Sequence, residues 1–134
     1  MKMWFPVSAA IALSASGPAL AQSEPMPMVD PATAAMADRL TMEQQTALRC
    51  SALFAIVARQ QANGNAEALA YPDVATRGRE YMVRSMARLM DEEGLDRATV
   101  SRLLSAQAQA LWDNGQALDE MVPPCLSLLE VSGL

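Results

Sequence analysis

Two cysteines, Cys50 and Cys125, are the residues of this 134-residue chain with the clearest chemical potential. In an oxidising compartment an even number of cysteines indicates disulfide bonding, and two cysteines allow one intramolecular pairing. That pairing would close a loop of about 75 residues, which the chain-entropy treatment values at about 4 kcal/mol. A redox-active pair would favour C-x-x-C spacing, which the sequence lacks. We predict a structural disulfide, with pairing between chains and free thiols as the alternatives.

Methionine is the second chemically notable residue type, with ten in the chain. Met82, Met86 and Met90 recur every four residues, so they share one face of a helix. Thioethers are soft ligands that select Cu(I), but these residues are spaced at about 6 Å per step along the helix axis and cannot all converge on one ion. Because Met also fills irregular cores, we predict core packing for this stripe. A partner-binding surface and a Met-based copper carrier are the alternatives.

The sequence contains few of the residues and motifs that enzymes use for catalysis. The chain has no His, so no imidazole can act as a base or as a metal ligand. Lys2 is the only lysine, and neither G-x-S-x-G nor S-x-x-K occurs. In the acidic cluster over 91–96, Gly94 comes too early for a calcium-binding EF-hand loop. We predict no enzyme activity, no cofactor and no metal site, and keep a small envelope hydrolase with a carboxylate pair as an alternative.

The charge pattern argues against nucleic acid as a partner. Ten basic and fifteen acidic residues give a net charge of −5, which provides no attraction for phosphate backbones. One helical face nevertheless carries Arg77, Tyr81, Arg84 and Arg88. Acidic side chains lie three or four residues from these arginines, so we predict a solvated face neutralised by its own ion pairs. Docking of an anionic partner is the alternative.

Residues 1–21 have the layout of a secretory signal peptide. Lys2 precedes an apolar run over 4–15, and Ala19 and Ala21 form an A-x-A cleavage site. The run is shorter than the roughly 20 apolar residues that a membrane-spanning helix needs. We therefore predict cleavage after Ala21 and no stable membrane anchor. The mature protein is predicted to be periplasmic or secreted.

Helical patterns dominate the mature chain. Residues 22–30 are Pro-rich and lack a period, which predicts a flexible lead-in before a single helical domain over 31–134. Thr41 with Gln44 forms a capping box, and Asp96 is an N-cap directly after the Gly94 turn. Helices are predicted over 31–40, 42–62, 72 or 73 to 93, 97 to about 114, and 125–131. One helical turn is predicted over 66–70 and one or two turns over 116–122, with a break at Pro123-Pro124.

The overall layout resembles small exported two-cysteine helical proteins of Gram-negative bacteria that have no assigned activity. The shared features are the export signal, a cysteine in a mid-chain helix, the hairpin around Gly94 and the late Pro123-Pro124-Cys125 segment. Small periplasmic acid chaperones are also helical with one disulfide, but this chain lacks their Lys-rich character. No functional residue is carried over from either group.

The predicted fold is all-α: a small irregular bundle of four to five helices with one disulfide, after a cleaved signal peptide. The predicted function is non-enzymatic binding of another macromolecule, a protein partner in the cell envelope. The predicted surface is the hairpin formed by the third and fourth helices. It consists of Met82, Met86, Met90, Leu111 and Trp112.

Overall fold

The computed structural model describes residues 29–134, so the predicted signal peptide and nearly all of the lead-in lie outside the described residues. Within this range the chain is all-α, which confirms the predicted fold class. There are six helices: α1 (Pro31–Arg39), α2 (Met42–Ala62), α3 (Ala66–Leu69), α4 (Ala75–Glu93), α5 (Arg97–Asp113) and α6 (Gly115–Val131). The helix beyond the predicted five is the four-residue α3, which forms where a single turn is predicted.

Polar caps set the helix starts where the sequence predicts them. The Thr41 hydroxyl accepts from the Gln44 backbone N–H at 3.2 Å, and the Gln44 side-chain oxygen accepts from the Thr41 N–H at 2.9 Å. The Asp96 carboxylate accepts from the Thr99 backbone N–H at 2.7 Å. Gly94 ends α4 with φ of 63°, the left-handed conformation that glycine adopts without strain.

Helix α4 begins two or three residues later than predicted. The Gln61 side-chain nitrogen donates to the carbonyls of Ala68, Tyr71 and Pro72 at 3.0, 3.3 and 2.9 Å. Its oxygen accepts from the Val74 N–H at 3.3 Å. One glutamine from α2 therefore satisfies the backbone of the connection before α4, so this segment needs no helical hydrogen bonds.

The predicted break at Pro123-Pro124 is wrong, because α6 runs through both prolines. Proline lacks the N–H for an intrahelical bond and its ring crowds the carbonyl four residues earlier. Both prolines lie on the exposed side of α6, whereas the opposite side is anchored in the core. The buried residues of that side are Leu118, Val122, Cys125 and Leu129. Their burial and the disulfide outweigh the local cost of the prolines.

Helix α2 is the centre of the bundle, since α3, α4, α5 and α6 all pack against it. Phe54 of α2 is fully buried and meets the Tyr81 ring of α4 edge-on, with ring centroids 5.5 Å apart. A second core cluster joins α1, α2, α4 and α5. It consists of Leu40, Leu48, Leu89, Val100 and Leu103.

The Cys50–Cys125 disulfide confirms the predicted pairing. It joins α2 to α6 across a sequence separation of 75, with Cα atoms 5.3 Å apart, and both cysteines are fully buried. Cys50 lies on the apolar stripe that α2 turns toward the core. The bond therefore ties the central helix to the last helix from inside the core.

Gly78 sets how closely α2 and α4 approach. A Cβ atom added at Gly78 would lie 2.7 Å from the Cβ of Phe54, closer than two such atoms can come. The neighbour is the stem of a buried ring and cannot swing away. Only glycine permits this helix crossing.

We expect Gly78→Ala to lower the free energy of unfolding by about 1–3 kcal/mol, because overpacking outweighs the better helix propensity of alanine. The matched control is Gly115→Ala in α6, where an added Cβ would meet nothing within 4 Å. Urea denaturation should show no loss of stability for the control. Equal effects at the two positions would contradict the packing role of Gly78.

We expect replacement of both cysteines, Cys50→Ala with Cys125→Ala, to lower the free energy of unfolding by about 2–5 kcal/mol, because the bond closes a long loop in the unfolded chain. Thermal melts of the wild type should fall by more than about 10 °C on complete reduction. The reductant should leave the melt of the double variant unchanged. An unaltered wild-type melt after reduction confirmed by mass spectrometry would refute a stabilising role.

Candidate functional site

The five residues of the predicted binding surface do not form one surface. Leu111 is only 4% exposed and belongs to the core around α2, so it is not available to a partner. Trp112, the next residue, is 62% exposed. A step of one residue turns a helical side chain by about 100°, so Leu111 points inward while Trp112 points outward. The apolar stripe in the sequence includes both Leu111 and Trp112, but of these two only Leu111 lies on the buried face of α5.

The three methionines of α4 are half-buried and serve different parts of the fold. Met86 and Met90 pack against the second core cluster. Met82 instead lines a groove between α2 and α4. Met82 is therefore separated from the pair formed by Met86 and Met90.

The arginine face of α4 is largely neutralised, as predicted, but through partly different partners. Arg84 pairs with Glu80 at 2.7 Å, and Arg88 contacts Glu92 at 4.0 Å within the same helix. Arg88 also approaches Glu43 of α2 at 3.7 Å. These exposed pairs add little stability but leave little net charge on the face.

Glu80 lies three residues from Arg77 on the same helix, but Arg77 reaches α6 instead. Its guanidinium contacts the Glu130 carboxylate at 2.8 Å and donates to the Leu134 carbonyl at 2.7 Å. The contact spans more than fifty residues of sequence, so helical spacing cannot reveal it. Arg77 thereby holds the last turn of α6 against α4.

One groove, of about 800 Å³, lies between the first turns of α2, the C-terminal half of α4 and the end of α6. We call it the corner groove. Met42 and Val131 stand at its edge, 78% and 81% exposed. Its apolar lining consists of Met42, Ala47, Met86, Leu89, Leu128, Val131 and Leu134.

The polar rim of the corner groove is already hydrogen-bonded and ion-paired within the chain. The Gln44 side-chain nitrogen donates to Glu92 and Glu93 at 3.1 and 2.7 Å. Arg88 lies between Glu43 and Glu92. Burial raises the pKa of Tyr81, so its hydroxyl lines the groove as a neutral group. The groove therefore offers apolar contact surface with a neutralised rim.

A second, smaller groove of about 380 Å³ follows the contact between α2 and α4. We call it the helix-pair groove. Its lining within residues 29–134 contains no acidic side chain, and most of the lining residues are small. The lining residues are Ser51, Phe54, Ala55, Ala58, Arg59, Ala62, Ala75, Gly78, Arg79 and Met82.

Ser51 in this lining is fully buried, and its hydroxyl has no hydrogen-bond partner within the described residues. A buried polar group without a partner costs free energy, and most such groups in proteins are paired. The sequence does not reveal Ser51, because a serine inside a helix is most often a solvated surface residue.

Among residues 29–134, no three His, Cys, Asp or Glu side chains cluster in a way that could hold a metal ion. None of the helices in this part of the chain combines the length and apolar character needed to cross a bilayer.

Comparison of the chain with protein-family models, with curated proteins and with solved structures finds no match.

We expect the contribution of the Arg77–Glu130 pair to stability to disappear in acid. The Arg77 side chain holds the pKa of Glu130 below its ordinary value, mainly through its hydrogen bond. A carboxylate with a lowered folded-state pKa stabilises the fold above its unfolded pKa, about 4.3, and loses that effect as pH falls through the folded value. The difference in unfolding free energy between wild type and Glu130→Gln should therefore shrink from about pH 5 to about pH 3.

Urea denaturation across this pH range measures the effect. Glu67→Gln is the control, since the Glu67 side chain makes no ion pair within the described residues. The Glu130→Gln difference should depend on pH more strongly than the Glu67→Gln difference does. Equal pH dependence of the two differences would show that the pair is not coupled to folding.

Proposed function

We propose that this chain is an exported, non-enzymatic protein that binds an apolar segment of another protein in the cell envelope, and that the corner groove receives this segment. The observation that carries the proposal is the open apolar lining, with Met42 and Val131 exposed at its edge. Large apolar side chains bordering a concave apolar surface are typical of recognition sites. An amphipathic helix that inserts its apolar side chains into a groove is a recurring form of such recognition.

The charges around the groove favour an apolar occupant over a charged one. Arg88 already lies between the carboxylates of Glu43 and Glu92, and the Gln44 side chain donates to Glu92 and Glu93. A charged ligand would have to displace these interactions and lose part of its own hydration. Apolar side chains entering the groove would leave the rim intact.

The net charge of the chain favours a different protein over a second copy of this chain as the occupant of the groove. Each copy carries a net charge of −5, so two copies repel each other at long range. A neutral or basic partner would meet no such repulsion. Met86 is the one residue of the predicted methionine and tryptophan surface that lines the groove, and its flexible thioether can adapt to an inserted side chain.

Export is the second part of the proposal. The fully buried Cys50–Cys125 bond supports an oxidising compartment, because cytosolic proteins seldom keep structural disulfides. The signal-like residues 1–21 and the resemblance to small exported helical proteins point to the same compartment. Binding by a rigid, disulfide-tied scaffold would not require catalytic groups.

We expect a photo-crosslinking amino acid placed at Val131 to link this chain to one discrete envelope protein in cells that export it. The matched control is the same amino acid at Val83, which is 58% exposed on α4 but lies outside the groove lining. Val83 should give no such product. Met42→Glu, which adds a charge at the groove edge on an exposed position, should reduce the Val131 product by about tenfold, the equivalent of 1.4 kcal/mol.

Circular dichroism would verify that each variant keeps its helical content and its melting temperature. Equal products from the Val131 and Val83 positions would contradict a binding site in the corner groove. A Val131 product that persists undiminished in a folded Met42→Glu variant would contradict it as well.

A further inference from the structure

We propose that the helix-pair groove is a second binding site, and that it takes a single-chain amphiphile with an anionic head group, such as an alkyl carboxylate or an alkyl phosphate. This site is separate from the corner groove and uses different residues of α2 and α4. Three features of the helix-pair groove support this proposal: its positive charges, its shape and the unpaired hydroxyl of Ser51.

Two arginines give the groove its charge. Arg59 of α2 and Arg79 of α4 both line it, and neither forms an ion pair or a side-chain hydrogen bond with the described residues. By contrast, Arg77, Arg84 and Arg88 of α4 are all paired with carboxylates. Although the protein has a net charge of −5, the described lining of this groove carries two positive side chains and no acidic one. Such a groove attracts an anion.

Small side chains provide the apolar part of the site. Alanines line both helices along the groove, and the close approach at Gly78 brings the buried Phe54 ring to its base. From Ser51 to Ala62 this face of α2 extends about 16 Å, at about 1.5 Å per residue. An apolar groove of this length suits an alkyl chain that lies along it, over the line where the two helices meet.

The Ser51 hydroxyl is an independent sign of a missing partner. It is buried, it belongs to the groove lining, and no described residue accepts or donates a hydrogen bond to it. Together with the two guanidinium groups, it makes every polar side chain of the lining a hydrogen-bond donor. A set of donors without a carboxylate among them matches an anionic head group.

The size of the groove favours a single chain over a protein helix. A volume of about 380 Å³ falls within the range of small-molecule sites. An α-helix with its side chains is about 10–12 Å across, so it would rest on the arginines and stay away from Ser51. One alkyl chain is thin enough to lie along the groove over the contact between α2 and α4.

Isothermal titration calorimetry of the full-length protein with its native disulfide tests the site. The probes are dodecyl phosphate and dodecanoate, each used below its critical micelle concentration. Dodecyl maltoside tests whether the anion is required, and inorganic phosphate tests whether the tail is required. We expect one molecule of an anionic probe to bind per chain, and at least tenfold weaker binding of the maltoside and of phosphate. Binding of only one anionic probe would still support the proposal and would identify the preferred head group.

Four arginine variants localise the site. Arg59→Gln and Arg79→Gln should each weaken binding about tenfold, because each removes a charge-assisted hydrogen bond. Arg39→Gln and Arg97→Gln remove the same charge outside the groove, from arginines that also make no ion pair within the described residues. They should leave the dissociation constant unchanged.

A fifth variant tests the apolar part of the site. Ala55 is exposed in the groove, so Ala55→Leu should fill the space without disturbing the core and should abolish binding. Three results would overturn the proposal. These are no binding of either anionic probe, equal weakening by all four arginine variants, and undiminished binding by a folded Ala55→Leu variant.

Discussion

The Cys50–Cys125 disulfide is the constraint on which the rest of the structure depends. It fixes α6 against the central helix α2 at a point where both cysteines are fully buried. The segment of α6 that follows the bond carries Leu128 and Val131, which form one wall of the corner groove. Because the bond joins positions far apart in sequence, it lowers the conformational entropy of the unfolded chain more than a bond between nearby residues would. The candidate binding surface thus depends on the same bond as the fold.

Interactions on both sides of the disulfide hold α6 in place. Arg77 of α4 contacts Glu130 and the Leu134 carbonyl near the end of α6. Before the bond, Val122 is buried in the core and keeps the helix regular up to the prolines. A helix that contains two interior prolines would not be stable alone, since its local hydrogen bonding is incomplete. Its stability is tertiary in origin, so loosening the core should also deform the corner groove.

Local rules predicted most of the described fold. The caps at Thr41 and Asp96 and the left-handed Gly94 lie where the sequence indicates, because each depends on residues within four positions of itself. The start of α4 and the continuity of α6 were not predictable in this way. The first depends on Gln61, which bonds a segment up to thirteen residues away, and the second depends on core burial that overrides proline.

The candidate sites also combine features that the sequence predicts with features that only the packed structure reveals. Composition and spacing alone determined that the chain has one possible internal disulfide, no imidazole, little positive charge and a series of amphipathic helices. Only the tertiary structure decided that Leu111 is buried, that Met82 and Met86 lie in different grooves, and that Arg59 and Arg79 line a common one. The reason is physical: capping and periodicity act within a few residues, whereas a groove forms from the faces of helices that meet only after the chain has packed.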